Sequence, residues 1–135
     1  AIAAYEKEIA RGGVRDAGNN RAALLLQSGR AKEAAQRFEE LLRQHPDHPA
    51  ALANYAWLLA TQADDTLRDG PRAVELARRA GDSAQALRSL AAGYAETGRF
   101  DEAVETLAKA RAKSPSAVWD EEAKSYQQGR PFRTK

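Results

Sequence analysis

Several residue types are absent or scarce in this 135-residue chain, and each absence excludes something. There is no cysteine, which excludes disulfides, thiolate metal sites and cysteine nucleophiles, and there is no methionine. Valine and isoleucine together fill only 6 positions, so the β-branched residues that pack well in sheets are few. No apolar run approaches the roughly 20 residues that a membrane-spanning helix needs. The sequence therefore indicates neither a sheet nor a membrane span.

Neither sign of charge dominates the chain. It has 21 Lys and Arg against 19 Asp and Glu, but the last six residues hold three basic side chains and no acidic one. A basic tail on a balanced body does not indicate a nucleic-acid-binding face, so no nucleic-acid partner is expected. The abundant residues, 30 alanines and 13 leucines, favour helix. A chain of this length and composition predicts one all-α domain with its own core.

An internal repeat organises the predicted domain. Gly29–Ala34 reads GRAKEA and Gly98–Ala103 reads GRFDEA, an offset of 69 residues. The same offset relates Ala22 to Ala91, Leu25 to Tyr94, Phe38 to Leu107, Leu41 to Ala110 and Pro46 to Pro115. Because this offset is about twice 34 residues, a third copy is expected between the two. That middle copy has its apolar positions at Leu52, Ala56, Leu59, Ala73, Ala77 and Ala80, with an insertion in the polar stretch Gln62–Gly70.

Each unit is predicted to be a pair of helices. Apolar side chains recur three to four residues apart in both halves of a unit, as in helices that bury one face. Gly29 and Gly98 separate the two helices of their units, where a turn with positive φ favours glycine. Pro46 and Pro115 close these units, because proline cannot continue a helix.

This pattern resembles the tetratricopeptide repeat (TPR) family. The matching positions are the small residue of the first helix (Ala22, Ala56, Ala91), the turn (Gly29, Ala63, Gly98), the small residue of the second helix (Ala34, Ala73, Ala103), the aromatic or large position that follows four residues later (Phe38, Ala77, Leu107) and the closing proline (Pro46, Pro115). The middle copy lacks the turn glycine and the closing proline and resembles a variant common in bacterial repeat proteins. The resemblance implies a right-handed α-solenoid of antiparallel helix pairs with a terminal capping helix.

The domain limits follow from the same pattern. Residues 1–128 are predicted to form one domain, with a partial repeat at 1–12, repeats at 16–47, 49–81 and 84–115, and a capping helix at 116–128. A basic tail at 129–135 follows and is expected to be flexible or loosely docked. The half-repeat at the start and the lack of an initial Met indicate a piece of a longer protein, and no signal peptide is visible. The compartment is left open between cytoplasm and periplasm.

Candidate binding residues come from the resemblance, since the first helices of a TPR array line its concave inner face. Their side chains that do not face the partner helix are Asn19, Ala23, Leu26, Gln27, Ala53, Trp57, Ala60, Thr61, Arg88, Ala92, Ala95 and Glu96. Small residues leave a trough with Trp57 as an aromatic anchor, which suits an extended peptide or a partner helix. The competing interpretations are that Trp57 packs in the core and that Arg88 pairs with a neighbouring acid.

Other kinds of site find less support. Ala23, Trp57 and Ala92 stand where TPRs that grip a C-terminal carboxylate need polar side chains. The stretch His45–Pro49 holds two imidazoles and a carboxylate that could ligate zinc, but its prolines favour a plain turn between repeats. The sequence shows no catalytic constellation. We therefore expect no enzyme activity, no cofactor and no metal.

The sequence thus predicts a non-catalytic protein–protein interaction or scaffold module that binds a peptide or a partner helix in its groove. Two alternatives stay open. The half-repeat at Ala1 also suits an accessory or docking region of a larger enzyme, such as a glycosyltransferase or a sulfatase. The apolar end of that half-repeat could instead stack on another copy, which would make the chain a self-assembling scaffold.

Overall fold

The computed structural model describes residues 14–115 and 118–134, with side chains from residue 18 onward. Within these ranges the chain forms helices and no strand. The helices are α1 (Val14–Gln27), α2 (Ala31–Gln44), α3 (Pro49–Thr61), α4 (Gly70–Ala80), α5 (Ala84–Glu96), α6 (Phe100–Lys113) and α7 (Asp120–Gln127). The predicted all-α fold is confirmed, whereas the predicted partial repeat at 1–12 lies outside the described residues. None of the described helices is long and apolar enough to cross a membrane.

The helices pack as consecutive pairs. Helix α1 packs on α2, α3 on α4 and α5 on α6, and α7 covers α6. The first helices also lie side by side, α1 on α3 and α3 on α5, so that they form one layer. The alanines at equivalent repeat positions are all fully buried: Ala22, Ala56, Ala91, Ala34, Ala73 and Ala103. Small side chains at these positions let the two helices of a unit approach, as the repeat predicts. The right-handed sense of a solenoid stays a prediction.

One type of turn ends α1, α5 and α7. Gly29, Gly98 and Gly129 have φ values of 79°, 81° and 71°, in the left-handed region that residues with a Cβ disfavour. In each case the next residue is an arginine whose backbone N–H donates to the carbonyl five residues earlier, at 2.8 or 2.9 Å. Helix α7 therefore ends as the first helix of a unit does, although the sequence pattern did not extend the repeat beyond Pro115.

A longer connection replaces this turn in the middle unit, where the insertion at Gln62–Gly70 was recognised in the sequence. Arg68 holds the loop by donating to backbone carbonyls at its start, at 2.8 and 3.0 Å. The carboxylate of Asp69 then caps α4 by accepting the N–H of Arg72 at 3.2 Å. The loop also brings Arg68 within 3.4 Å of Glu96, the last residue of α5.

After α7 the chain does not begin another helix. Residues 130–134 are non-helical and lie on the layer of first helices, so that Thr134 reaches Thr61 at the end of α3. We call residues 130–134 the docked segment. The tail was expected to be flexible or loosely docked, but the structure holds it by named contacts to α3 and α5.

Candidate functional site

A groove lies on the layer of first helices, between α1, α3 and α5. Its volume is about 440 Å³, within the ~300–1,000 Å³ typical of ligand pockets. It is lined by Ala23, Leu26, Gln27, Asn54, Trp57, Thr61, Gln62, Gln85, Arg88 and Thr134. Four of these residues carry side-chain amides, and we therefore call this space the amide groove.

Trp57 lines the amide groove and also contacts the docked segment. Its side chain is half-buried and packs against the core formed by the first two units. The guanidinium carbon of Arg88 lies 4.0 Å from the centre of the Trp57 ring, and the Phe132 ring lies 5.9 Å away at an angle of 37°. Both geometries fit attractive contacts of an aromatic face. Trp57 therefore packs partly in the core, as the competing interpretation has it, and is partly exposed, whereas its role as an aromatic anchor for a ligand stays a prediction.

Arg88 is fixed by three partners at the edge of the amide groove. Its guanidinium lies over Trp57 and also over Trp119, at 5.1 Å from that ring centre. Its Nε donates to the carboxylate of Glu122, which is only 4% exposed. A buried carboxylate needs a paired cation, so Arg88 is required by the protein itself. The competing interpretation, that Arg88 pairs with a neighbouring acid, therefore describes its contacts in the structure.

The docked segment makes three kinds of contact with α3 and α5. The ring of Phe132 lies against Trp57. The guanidinium of Arg133 donates to both carboxylate oxygens of Glu96, at 2.8 and 2.9 Å. The backbone N–H and the hydroxyl of Thr134 donate to the carbonyl of Thr61, at 2.8 and 3.3 Å. The segment therefore binds through a ring, a charge and its backbone.

Six of the residues predicted to bind a partner line the amide groove together: Ala23, Leu26, Gln27, Trp57, Thr61 and Arg88. Two others lie in polar contacts. The side chain of Asn19 is buried and accepts a hydrogen bond from Asn54 at 3.0 Å. Glu96, the last residue of α5, forms ion pairs with Arg68 of the loop after α3 and with Arg133 of the docked segment. Binding by any of these residues stays a prediction.

The small residues predicted for the inner face are placed differently. Each is at most 2% exposed, because the first helices pack closely side by side: Ala53, Ala60, Ala92 and Ala95. The hydroxyl of Ser89 on α5 donates to the carbonyl of Ala53 on α3 at 2.8 Å, which shows how near the two helices are. These alanines therefore set the spacing of the layer and do not offer a free surface.

The sequence prediction missed Asn54, Gln85, Gln62 and Thr134. Asn54 precedes Trp57 by three residues and Gln85 precedes Arg88 by three, so each shares a helix face with a predicted residue. That spacing was a signal that could have identified both. Gln62 follows the end of α3, and Thr134 comes from the tail, where the repeat pattern carries no information on contacts.

A separate polar cluster joins α2, α3 and α4, and none of its members lines the amide groove. The carboxylate of Glu39 accepts from the Tyr55 hydroxyl at 2.7 Å and from Arg72 at 2.5 Å. The hydrogen bond from Tyr55, followed by that from Arg72, lowers the pKa of Glu39 below its usual range. Burial, with the hydrogen bond to Glu39, raises the pKa of Tyr55. The cluster ties the first unit to the second.

The candidate zinc turn has a structural explanation. His48 is buried and precedes α3, where its Nδ1 accepts the backbone N–H of Ala51 at 3.3 Å. It therefore caps the helix. In the part of the chain that the structure describes, no three His, Asp or Glu side chains come together as a metal site requires.

Comparison with known proteins identifies one part of the chain. A family model described as "Tetratricopeptide repeat" matches residues 25–65. The match runs from the end of α1 through α2 and α3 into the loop that follows. Repeats of this family serve in general in protein–protein interaction or scaffolding, typically without catalysis. A search of curated protein sequences found no match to the chain.

Proposed function

We propose, from the tetratricopeptide repeat that the chain carries at residues 25–65, that the amide groove binds an extended segment of a partner protein without catalysis. The observation that carries the proposal is the lining, which combines four side-chain amides with the half-buried ring of Trp57. Each side-chain amide can donate and accept hydrogen bonds. The lining therefore combines an aromatic anchor with several adaptable polar partners.

The polar lining favours an extended peptide over a partner helix. An extended segment exposes a backbone N–H and a carbonyl at most residues, and these groups need partners when they leave water. A helix satisfies its backbone groups internally and binds mainly through apolar side chains. Gln27, Asn54, Gln62 and Gln85 offer donors and acceptors that an extended backbone can use and a helix cannot. A partner helix remains the second candidate of the sequence prediction.

Two neighbouring substitutions on α1 test this proposal. Ala23 lines the amide groove, whereas Leu24 is 54% exposed and does not. Partners are first captured with the full chain by cross-linking and identified, and the affinity of the purified partner is then measured by calorimetry. Ala23→Arg fills the groove and is expected to lower the affinity at least about tenfold, the equivalent of ~1.4 kcal/mol.

The matched control is Leu24→Arg, which places the same charged side chain one residue away. It is expected to leave the affinity within about twofold of the unsubstituted chain. Equal affinities for the two variants would contradict the proposal. Circular dichroism of both variants checks that the helices are retained.

The alternatives derived from the sequence stay predictions. A docking region of a larger enzyme and a self-assembling scaffold both depend on the half-repeat at 1–12, which lies outside the described residues. The binding proposed for the amide groove depends on α1, α3, α5, Gln62 and Thr134, all of which lie in the described residues.

A further inference from the structure

We propose that the surface under the docked segment is a second peptide site, specific for a peptide in which an aromatic residue is followed directly by arginine. In this proposal Phe132–Thr134 is the chain's own occupant of a site that a partner peptide of the same chemistry also binds. The inference rests on the proposed function, because it names the partner chemistry of the same layer of first helices.

Three contacts define the order of side chains that the site selects. Trp57 receives the ring, and Glu96 receives the guanidinium through both carboxylate oxygens. The carbonyl of Thr61 receives the backbone N–H of the residue after the arginine, at 2.8 Å. One nitrogen of Arg133, Nη2, donates to both oxygens of Glu96, and the other, Nη1, approaches the carbonyl of Ala60, so these contacts fix where the arginine lies. In the docked segment the residue directly before the arginine is the one whose ring reaches Trp57.

The electrostatics of two helix ends favour a basic ligand at this site. Helices α3 and α5 lie side by side, and Arg133 contacts the C-terminal ends of both. A helix C-terminus carries partial negative charge and leaves carbonyls without intrahelical partners. Arg133 also approaches the carbonyl of Ala60, at 3.5 Å, beside its pair with Glu96. The negative charge of Glu96 therefore adds to that of the two helix ends.

Arg68 holds the carboxylate of Glu96 in place independently of the ligand. Arg68, from the loop after α3, lies 3.4 Å from the carboxylate of Glu96, whose side chain is only 15% exposed. Arg68 is fixed in turn by its bonds to loop carbonyls. Glu96 thus keeps an arginine partner and its orientation when the ligand arginine leaves. A receptor group that is already positioned loses little entropy on binding.

The turn at Gly129 is followed by a basic residue where the turns at Gly29 and Gly98 are followed by an acidic one, and this change favours a free segment over another helix. After the first two turns Arg30 pairs with Glu33 and Arg99 pairs with Glu102, and a helix follows. After the third turn the same spacing places Arg133 where the others have glutamate. A basic side chain in the first turn of a helix opposes the helix dipole, which disfavours helix there. Arg133 pairs with Glu96 instead.

The attachment of the segment to α7 makes it a competitor of any partner peptide. A segment tethered next to its site is present at an effective concentration in the millimolar range. A partner must therefore replace contacts that the chain already makes, and its apparent affinity is its intrinsic affinity multiplied by the fraction of chains that are open. Residues 131–134 are each partly exposed, so a partner can displace them without unfolding the helices.

The experiment uses the full chain and a synthetic peptide that copies residues 130–134, acetylated and amidated. An opened chain carries Phe132→Ala with Arg133→Ala, which removes the ring and the guanidinium of the occupant. Binding is followed by amide and indole shifts in NMR spectra. The opened chain is expected to bind the peptide with shifts centred on Trp57, Thr61 and Glu96. The unsubstituted chain is expected to bind it at least about tenfold more weakly.

Matched peptides and one site variant test the specificity. Replacing the phenylalanine of the peptide by alanine, or its arginine by glutamate, is expected to abolish detectable binding. Glu96→Gln in the opened chain is expected to weaken binding of the original peptide about tenfold by removing a charged partner. If the opened chain loses helix by circular dichroism, Arg133→Glu alone serves as the opened form, because it leaves Phe132 in place.

Three outcomes would overturn the inference. In the first, the opened chain does not bind the peptide. In the second, it binds the altered peptides as well as the original one. In the third, the unsubstituted chain forms a dimer that the opened chain does not form, which would assign the site to the segment of a second copy. The proposed function is tested separately by Ala23→Arg in the amide groove. Peptide binding can therefore fail while partner binding in the amide groove persists, and the reverse is equally distinguishable.

Discussion

The two halves of the layer of first helices differ in what covers them. Between α3 and α5 the docked segment lies on the surface, with Phe132 on Trp57 and Arg133 on Glu96. The other half is the amide groove, which α1, α3 and α5 border; no described residue fills it, and its volume is about 440 Å³. Trp57 borders both halves. The covered half contacts its occupant through a ring and an ion pair, whereas the open half is lined mainly by neutral amides and small side chains.

This difference has a local physical origin. The covered half lies where two helix C-termini meet beside Glu96, which attracts a cation. In the open half the one charged lining residue is Arg88, and its guanidinium is already paired with the buried Glu122. The repeat therefore provides one scaffold, and a few side chains at the helix ends decide which ligand each half accepts.

Removing Trp57 is expected to have the largest effect, because it breaks both halves at once. Trp57→Ala removes the ring that Arg88 and Phe132 contact and part of the core. We expect the free energy of unfolding to fall by about 2–3 kcal/mol, measured by urea denaturation. The control is Trp119→Ala, which also removes a ring under Arg88 but does not line the amide groove, and it is expected to cost about half as much. Equal losses would show that Trp57 has no special place between the halves.

Two glycine-to-alanine substitutions compare how tightly α5 packs on α4 and how tightly α1 packs on α2. A Cβ at Gly93 of α5 would lie 3.1 Å from the backbone nitrogen of Val74 in α4, whereas a Cβ at Gly18 of α1 would meet Leu41 at 3.4 Å. Gly93→Ala is expected to lower the free energy of unfolding by about 1–2 kcal/mol through overpacking. Gly18→Ala is expected to raise it by up to about 1 kcal/mol through helix propensity.

Thermal and urea denaturation of the two glycine variants measure this difference. A stabilising Gly93→Ala would show that α4 moves away from α5 without cost. A destabilising Gly18→Ala would show that α1 packs on α2 as tightly as α5 packs on α4.

Reversing the charge of Glu96 or of Arg133 tests the covered half without changing the amide groove's charged residue, Arg88. Glu96→Arg and Arg133→Glu each break the ion pair that holds the docked segment. A double-mutant cycle on the free energy of unfolding is expected to give a coupling of about 1 kcal/mol. The double variant should recover only part of the loss, because Arg68 would then face an arginine. Arg130→Glu is the control, since Arg130 is exposed and bonds only Gln128 among the described side chains. A coupling near zero would contradict docking by charge.

The smallest effect is expected outside both halves, at the Glu39 cluster. The hydrogen bonds from Tyr55 and Arg72 lower the folded-state pKa of Glu39 below its usual 4.5. The stability that they contribute is therefore present above pH 4.5 and is lost as the pH falls through the lower folded-state pKa. Tyr55→Phe removes the larger cause, so the loss of stability in acid should become shallower.

Urea midpoints at several pH values between 2 and 7 measure that slope. The control is Tyr94→Phe, which removes a tyrosine hydroxyl that bonds Arg78 instead of an acid. It should leave the acid slope unchanged. An unchanged slope in Tyr55→Phe would contradict the assigned cause of the shift.

The sequence predicted the features that depend on one residue at a time. Ala22, Ala56 and Ala91 are fully buried because only a small side chain fits between paired helices, and this requirement is visible as a repeat. Gly29 and Gly98 have positive φ for an equally local reason. The paired helices could therefore be predicted from spacing and residue size alone.

The contacts between units could not be predicted in this way. Ala53 and Ala92 were expected on a free inner face, but they are buried because neighbouring first helices lie closer than the pattern of one pair can indicate. The docked segment depends on the ends of α3 and α5 meeting, which no local motif encodes. Its one local signal is Arg133, which stands where the other turns have Glu33 and Glu102.

Nuclear Overhauser effects between the rings of Trp57 and Phe132, together with hydrogen exchange at the amide of Thr134, test the central claim most directly. We expect cross-peaks between the two rings, whose centres are 5.9 Å apart, and slowed exchange of the Thr134 amide, which donates to Thr61 at 2.8 Å. Phe132 resonances at random-coil positions, with no cross-peak to Trp57 and fast exchange at Thr134, would contradict it.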